Sequence, residues 1–392
     1  MIGRHNGRVS PPPVAAEAVA RCCHRKARAR GRFARERGKN MNTMQILSVV
    51  VFLIVMAAIV TEKVHRTVAA VAGAVVLVCL HVLTVDDAVS YIDFNTIGVL
   101  IGMMLFVAVV RNSGLFEYVA IKAAKIAKGN PWKIMLLFII ITTALSAFLD
   151  NVTTVLLVGP MTIAITGILG LNPVPFLLTQ ILASNIGGTA TLIGDPPNIM
   201  IGSQAGLSFV DFVVNTGLAV VFIMIATCLC FYFLYGRKMV VEPDKMAAVM
   251  QLDENKSIMD HGLLVKSVVM IGLVVLGFVF HSALGVESCI IALASATIML
   301  LIGKQDTEEI VLGVEWSTIL FFTGLFVVVG SMVQTGVITA LGGALVAVTG
   351  GNTTLLMVLI LWGSALFSSF LDNIPFSATM IPLVLSLQAG GM

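Results

Sequence analysis

The chain of 392 residues is 58% hydrophobic and only 11% charged, and its mean hydropathy is +1.01. An ordinary soluble domain carries about 25% charged residues, so this composition excludes a soluble globular protein and indicates a polytopic membrane protein. The formal net charge of +3 is unevenly distributed: residues 1–40 hold eleven basic and two acidic residues, and the remainder holds 13 basic and 19 acidic residues.

Residues 1–40 form a basic N-terminal extension whose composition differs from that of the following chain. The extension lacks the apolar core that a signal peptide needs. If the basic loops of the chain are cytoplasmic, this extension would have to cross the membrane. We therefore expect translation to begin at Met41 or Met44. The alternative is a genuine cytoplasmic or targeting extension with an altered first helix.

Apolar runs follow in chain order. A bilayer core of about 30 Å needs about 20 apolar residues per helix, and somewhat fewer when the helix is short. Such runs lie at 45–61, 67–84, 96–110, 213–235, 264–281, 288–303 and 317–332. Three further stretches are apolar but interrupted, at 133–168, 174–202 and 353–390. The sequence therefore predicts an all-α polytopic membrane protein.

The basic residues indicate how these helices are oriented. If the loops alternate sides, one side receives all thirteen basic residues beyond position 40, which are Lys63, Arg66, Arg111, Lys122, Lys125, Lys128, Lys133, Arg237, Lys238, Lys245, Lys256, Lys266 and Lys304. The opposite side receives Asp86, Asp87, Asp93, Asp211 and Glu287. By the positive-inside rule the basic loops are cytoplasmic, and we expect a multi-pass protein of the plasma (cell inner) membrane.

The chain contains an internal repeat. A shift of 222 residues aligns 93–115 with 315–337 without a gap. The same shift places the pair Asp150-Asn151 on Asp372-Asn373 and Pro160 on Pro382. Two unrelated apolar segments would share Leu and Val by chance. They would not be expected to share an Asp-Asn pair and a proline at the same spacing. The register predicts a duplication.

The two copies differ in the charge of their loops. Several basic residues follow the run at 96–110, whereas the equivalent loop over 333–352 is uncharged. One copy then faces in and the other out, as in the inverted repeats with which secondary transporters build a midplane site. We divide the chain into transport repeat 1 (41–236), a solvated cytoplasmic linker (237–263) and transport repeat 2 (264–392).

The second repeat ends early. The counterpart of 185–198 would fall at 407–420, so we expect about 65 residues of the second inverted repeat to be absent. We expect the sequence to be a fragment of a longer protein, and the second repeat to be incomplete.

Two short polar segments interrupt apolar runs: SAFLDNVTT at 146–154 and SSFLDNIPF at 368–376. A carboxylate at a helix centre costs about 2.5–3.5 kcal/mol even on a lenient scale, so it marks a functional site. Each break predicts a re-entrant hairpin, because irregular backbone is tolerated only beside protein or a water-filled cavity. The tip residues are Asp150, Asn151, Thr153, Thr154, Asp372 and Asn373. The alternative is that the aspartates only cap helix starts.

A further break lies at ASNIGGTATLIGDPPNIMIG, residues 183–202. Paired glycines and paired prolines do not continue a regular helix, and broken half-helices direct their dipoles at ions. The candidate binding residues are Asn185, Gly187, Gly188, Thr189, Thr191, Asp195 and Asn198. Asp195 has an alternative role as a turn-capping residue.

The segments around these breaks resemble those of a known family. FLDNVTTVLLVGPMT, LNPVP and ASNIGGTATLIGDPPN are similar to the ion transporter superfamily with the citrate-transporter-like domain. The most similar branch contains arsenite permeases, NhaD-type sodium/proton antiporters and the melanosomal P protein. The resemblance covers 41–392 and implies inverted repeats, in which two hairpin tips and two unwound helices bind substrate and ions. Carried over by position, tip 1 contains Asp150 and tip 2 contains Asp372.

One departure bears on the substrate. Asp150 stands where dicarboxylate-transporting members of the superfamily have a serine. A carboxylate there repels a citrate-like polyanion unless it is protonated or paired with a cation. We therefore expect secondary active transport of a small ion or oxyanion, favouring arsenite- or antimonite-type efflux. Coupling is to a proton or cation gradient by alternating access, with Asp150 and Asp372 as the coupling groups.

Several alternatives stay open. A sodium/proton antiporter and a di- or tricarboxylate (citrate-like) transporter are the nearest, and a passive channel or an intramembrane aspartyl protease lies outside the class. Neither an enzymatic activity nor a metal site is expected, and H⁺ or Na⁺ is the only cofactor-like ion. The expected partners are membrane lipid, the transported ion or oxyanion, a second copy in a homodimer, and a separate ATPase subunit for any use of ATP. No nucleic-acid partner is expected.

Overall fold

A computed structural model describes residues 41–390, so the basic extension at 1–40 lies outside the described residues. The first repeat contains α1 (Met41–Thr61), α2 (Arg66–Cys79), α3 (Val85–Tyr91), α4 (Phe94–Arg111), α5 (Leu115–Ile126), α6 (Pro131–Ser146), α7 (Asn151–Leu169), α8 (Val174–Gly188), α9 (Pro196–Ala205) and α10 (Phe209–Leu234). Helix α11 (Pro243–Met250) lies in the linker between two 3₁₀ turns, Gly236–Lys238 and Glu254–Ser257. The second repeat contains α12 (His261–Leu284), α13 (Ser288–Gly303), α14 (Thr307–Leu312), α15 (Trp316–Gln334), α16 (Val337–Thr349), α17 (Thr353–Ser368) and α18 (Asn373–Ala389).

The prediction of an all-α polytopic membrane protein is confirmed. Six helices of the described range are long and apolar enough to cross a membrane: α1, α4, α7, α10, α12 and α15. Helices α16 and α17 pass the same test as a pair bent by 118°. One predicted span is shorter than expected, because α2 has 14 residues where the sequence shows an apolar run at 67–84, whereas α13 covers the whole predicted run 288–303 with 16 residues. For α2 the reason is local, since the Thr84 hydroxyl already caps α3.

The duplication extends to the boundaries of the helices. Helices α2, α3, α4, α5, α6 and α7 begin 222 residues before α13, α14, α15, α16, α17 and α18, respectively. The turns agree as well, since Gly114 and Gly336 both adopt φ of +79°, a left-handed conformation that favours glycine. The repeat seen in the sequence is therefore a repeat of the backbone.

Two pairs of closely packed helices join the repeats. A Cβ atom on Gly102 of α4 would lie 2.6 Å from the backbone of Ala292 in α13. A Cβ atom on Gly324 of α15 would lie 2.7 Å from the backbone of Ala70 in α2. Both members of the second pair are related to the first by the 222-residue shift. Each repeat thus contributes one helix to each pair, and we call these four helices the scaffold.

Hydrogen bonds show that the repeats are inverted. The start of α2 meets the start of α15, where the Thr67 hydroxyl donates to the Ser317 carbonyl at 2.7 Å. At the other end of α15, Gln334 Oε1 accepts from the Tyr91 hydroxyl at 2.7 Å. Tyr91 ends α3, three residues before the first residue of α4, so α4 begins near the end of α15. The equivalent helices of the two repeats therefore run in opposite directions.

Helices α6 and α7 form the first hairpin. Ile134 and Phe138 of α6 lie in one core cluster with Ile165 and Leu169 of α7, so the two arms fold back on each other. The turn between them and the first residues of α7, 147–154, are tip 1. In the second hairpin, α17 and α18 share a smaller core, and the equivalent residues 369–376 are tip 2.

The linker is more ordered than a solvated connection. Val249 of α11 is fully buried, and Met246 packs against Gly129. Lys125 of α5 forms an ion pair with Glu254, and the Met259 amide donates to the Ser113 carbonyl at 3.3 Å. The linker is thus exposed over most of its length, and its one apolar face covers α5 and the first hairpin.

Candidate functional site

Tip 1 is organised around Asp150. Its Oδ1 accepts a hydrogen bond from the Thr153 amide at 2.9 Å, and the Thr154 hydroxyl donates to the Asp150 carbonyl at 2.9 Å. Asp150 therefore caps α7, as the capping alternative predicted. Its Oδ2 has no partner among the described residues, and neither has the Thr153 hydroxyl. One carboxylate oxygen thus holds the helix start and the other is available to a ligand.

The break between α8 and α9 lies where the sequence places it. Helix α8 ends at Gly188 and α9 begins at Pro196. A Cβ atom on Gly187 would lie 2.4 Å from the Thr143 carbonyl oxygen, and one on Gly194 would lie 2.5 Å from the Ser146 carbonyl oxygen. Glycine is therefore required so that the unwound backbone can lie against α6.

Polar side chains of the break hold its own backbone. Asn198 donates from Nδ2 to the carbonyls of Thr191 at 2.8 Å and Gly188 at 3.1 Å. The Thr191 hydroxyl donates to the Ala147 carbonyl of tip 1, and the Thr189 hydroxyl donates to the Asn185 carbonyl at 2.9 Å. These donors therefore stabilise the unwound segment, and their role as ion ligands stays a prediction.

A side-chain bond joins tip 1 to the broken helix. Asn151 Nδ2 donates to Asn185 Oδ1 at 2.8 Å, and Asn185 Nδ2 in turn donates to the Ile181 carbonyl at 3.0 Å. Two of the predicted site residues are thus in direct contact. The contact joins the start of α7 to α8.

Asp195 occupies the N-cap position of α9 but its side chain makes no capping hydrogen bond. The turn-capping alternative therefore has no support. The carboxyl is half-buried. Leu157 of α7, Ile199 of α9 and Ile374 of α18 lie in one core cluster, so the helices that Asp150, Asp195 and Asp372 precede pack around the same core. We call Asp150, Asp195 and Asp372 the carboxylate cluster.

Tip 2 repeats the cap but adds a charged partner. Asp372 Oδ1 accepts from the Ile374 amide at 3.4 Å, a long bond. Its Oδ2 lies 3.6 Å from Nη1 of Arg66, at the start of α2. The side chain of Asn373 makes no hydrogen bond to a described residue. The two tips share the Leu-Asp-Asn sequence, but only tip 2 has a basic side chain beside its aspartate among the described residues.

Sequence reasoning missed two residues of the site. The buried Ser146 hydroxyl donates to the Ser184 carbonyl at 2.7 Å and anchors α8 beside tip 1. The repeat contained this signal, since Ser146 and Ser368 share the 222-residue register. In the sequence, the charge of Arg66 indicates only the orientation of its loop. Its contact with Asp372 joins residues about 300 positions apart, which no local pattern indicates.

The arrangement suits positive charge. Three carboxylates and one guanidinium leave an excess of negative charge, which attracts a proton or a small cation. The N-termini of α7, α9 and α18 add backbone N–H groups that favour anionic groups nearby. Within 41–390 no group of three His, Cys, Asp or Glu side chains is close enough to hold one metal ion.

Comparisons with known proteins agree with the architecture. The model of the CitMHS family, described as Citrate transporter, matches residues 56–392. An uncharacterized transporter of Mycobacterium tuberculosis is 43% identical over 350 residues, which cover 88% of this chain and 81% of that protein. The 46 kDa membrane protein of Mycobacterium leprae is 40% identical, over 88% of this chain and 82% of its own. The P protein of Homo sapiens is 30% identical over 431 residues, covering 89% of this chain and 51% of that protein.

The resemblance seen in the polar words is thereby confirmed, including the branch that contains the P protein. The chain spans about half the length of the human P protein. Several apolar helices and the match to a transporter family make it a multi-pass membrane protein. With a family model that covers most of its residues, the chain belongs to the CitMHS citrate transporter family and is a transporter.

Proposed function

We propose that the protein is a secondary active transporter of a small ion or oxyanion, coupled to a proton or sodium gradient by alternating access. The observation that carries this proposal is that Asp150, Asp195 and Asp372 stand at the starts of three helices that share one core cluster inside an inverted repeat. Carboxylates grouped in one region repel one another, so binding of a proton or cation there lowers the free energy of the group. Release on the other side of the membrane then couples the gradient to the substrate.

The moving part in this mechanism is the hairpin pair with the broken helix. The scaffold is held by backbone contacts at Gly102 and Gly324 that leave no room for sliding. The first hairpin and α8 are joined by the Asn151–Asn185 bond. Alternating access then moves the hairpins and the break as a body past the scaffold, in an elevator-like or rocking motion.

The substrate follows from the charge of the site. Arsenous acid is largely uncharged near neutral pH, so it enters a site lined by carboxylates without repulsion. We therefore favour arsenite- or antimonite-type efflux. The second candidate is a sodium/proton antiporter. In such a protein the same carboxylates would bind the transported sodium ion, which also lowers the repulsion between them. A citrate-like substrate, which the family's description names, would have to arrive with cations that neutralise it.

The test is a panel of substrates with purified protein in liposomes. Arsenite, sodium and citrate with and without divalent cations are supplied in turn, under an imposed proton gradient. Asp150→Asn should abolish saturable, gradient-driven transport of the true substrate. Asp211→Asn is the matched control, because the Asp211 carboxylate accepts hydrogen bonds only from the amide and the hydroxyl of Ser208, at the exposed start of α10. Two outcomes would refute the proposal. A flux that does not saturate and does not depend on the gradient would indicate a channel.

Cleavage of a membrane peptide that is blocked by an aspartyl-protease inhibitor would indicate an intramembrane protease.

A further inference from the structure

The starts of α2 and α13 border two cavities that are related by the internal repeat. One cavity of about 450 Å³ is lined by His65 and Arg66, and the other, of about 340 Å³, is lined by Glu287 and Ser288. The 222-residue shift places His65 on Glu287 and Arg66 on Ser288. Because the repeats are inverted, these cavities lie at opposite ends of the scaffold. The equivalent positions therefore differ in charge: one end has basic side chains and the other has an acidic and a neutral side chain.

Arg66 is rooted in the scaffold. Its guanidinium lies 5.3 Å from the centre of the Phe321 ring, and its Nη2 donates to the Thr318 hydroxyl at 3.4 Å. The neighbouring Thr67 hydroxyl bonds to α15 as well. Three contacts thus fix the start of α2 on α15, which is one of the helices held by close glycine packing.

Asp372 lies across the same cavity, on the second hairpin. Its Oδ2 is 3.6 Å from Arg66 Nη1, and the two side chains are 31% and 42% exposed, respectively. Phe370 of tip 2 also lines the cavity and is 78% exposed. The ion pair therefore joins the part of the protein that we expect to move to the part that we expect to stay fixed.

Tip 1 has no such partner. At the position equivalent to Arg66, Ser288 exchanges hydrogen bonds with Asn95 of α4. None of the ion pairs between described residues involves Asp150 or Asp195. The carboxylate cluster is thus asymmetric, with one of its three members already facing a fixed positive charge.

We propose that Arg66 is a tethered counter-ion that competes with the coupling cation for Asp372 and thereby sets the affinity of the transporter for that cation. A proton or sodium ion bound at Asp372 removes the attraction that holds Arg66, because one carboxylate does not neutralise two cations. The bound cation then takes the place of Arg66 beside the start of α18 and holds tip 2 there, while the ion pair to the scaffold is broken. This inference deepens the proposed function and rests on it, since it names the residue that regulates the same site.

The other charged groups around the cavity do not replace Arg66. Glu62 and His65 line it from the segment between α1 and α2. Glu315 precedes α15 and accepts from the Thr318 hydroxyl at 3.0 Å, so it supports the same threonine that binds Arg66. Asp150 and Asp195 stand at the starts of α7 and α9, which share a core cluster with α18. Among the described groups that line this cavity, only the Arg66 guanidinium has a permanent positive charge.

The tether is tested first without transport. Hydrogen–deuterium exchange of purified protein is followed over the tip 2 peptide 369–376 during titration with sodium chloride, with potassium chloride as the ionic-strength control, and in a second series during titration with acid. Cation binding should slow exchange in this peptide. Arg66→Gln should speed exchange in the unliganded protein and lower the half-protecting cation concentration about 2- to 5-fold, the range expected for a partly exposed ion pair.

Matched variants separate the tether from a general loss of structure. Arg66→Lys should restore most of the wild-type midpoint, because it keeps the charge. Lys63→Gln removes a nearby exposed cation that has no ion pair among the described residues, and it should leave the midpoint unchanged. In an Asp372→Asn background, Arg66→Gln should have no further effect, whereas the tip 1 peptide 147–154 should be insensitive to Arg66 throughout.

Two results would overturn the inference. One is an unchanged midpoint in Arg66→Gln, including the case in which neither sodium nor acid protects tip 2. The other is an equal effect of Arg66→Gln with and without Asp372. The substrate panel in liposomes is a separate measurement, so a failure of the proposed function and a failure of the tether give different results.

Discussion

Gly102 and Gly324 stand at equivalent positions of the two repeats, and each allows one repeat's helix to touch the backbone of the other. The would-be Cβ atoms lie 2.6 Å and 2.7 Å from backbone carbons of Ala292 and Ala70. Backbone does not yield as a flexible side chain does. This pair of contacts is what fixes the two inverted halves against each other, and it gives the hairpins a rigid frame.

Alanine at either glycine should therefore destabilise the protein. We expect Gly102→Ala and Gly324→Ala each to cost about 1–3 kcal/mol, the usual penalty for overpacking a tight core. Thermal unfolding in detergent measures the effect. Gly272→Ala is the control, because a Cβ atom there meets nothing within 4 Å in helix α12. A stability of Gly102→Ala equal to that of the control would contradict the close packing.

The bond between Asn151 and Asn185 should couple tip 1 to the broken helix. A double-mutant cycle with alanine at both positions should give an interaction energy of about 0.5–1.5 kcal/mol. The pair Asn112–Gln305 is a control for a side-chain amide bond outside the site, at 2.9 Å. Cycles of both pairs are measured by thermal unfolding and by transport. Only the Asn151–Asn185 cycle should show coupling in transport, and additivity there would argue against a single moving unit.

The linker should loosen at low pH. The hydrogen bond from Lys125 holds the pKa of Glu254 below its usual value of 4.5. A carboxyl whose pKa is lowered by folding stabilises the folded linker above its unfolded pKa, and this contribution is lost as the pH falls through the folded value. Protease cleavage within 239–259 should therefore accelerate in acid. Glu254→Gln should remove this pH dependence, and Glu242→Gln, which breaks an exposed pair with Lys245, should not. A wild-type cleavage rate that is constant with pH would disprove the role of Glu254.

The sequence predicted the class, the repeat and the polar breaks, because these depend on patterns that a linear chain displays. Asp150 and Asp372 could be paired from their register alone, and the break at Gly188–Pro196 followed from backbone chemistry. The structural role of Asn198 could not be predicted, since an amide at an unwound segment suits an ion and a carbonyl equally well. Arg66 was hidden for a different reason. Its partner lies in the other repeat, and only the packing of α2 on α15 brings them together.

The apolar face of the linker could not be predicted from the sequence, because the helix that carries it is short. Helix α11 has eight residues, too few for a clear period, and its surroundings carry many charges. Burial of Val249 depends on the cavity left between α5 and the first hairpin, which is a tertiary feature. Composition indicated solvent exposure there, and packing determined the outcome.

The central claim is that the carboxylate cluster couples a cation or proton gradient to substrate movement. Asp195→Asn tests it most directly, because Asp195 makes no capping bond, so the substitution removes charge and leaves the helix start intact. Liposomes with purified wild type and variant are given an imposed proton or sodium gradient, and both substrate accumulation and substrate counterflow are measured. The account predicts that Asp195→Asn retains counterflow but loses gradient-driven accumulation. Accumulation at the wild-type level in Asp195→Asn would contradict the claim.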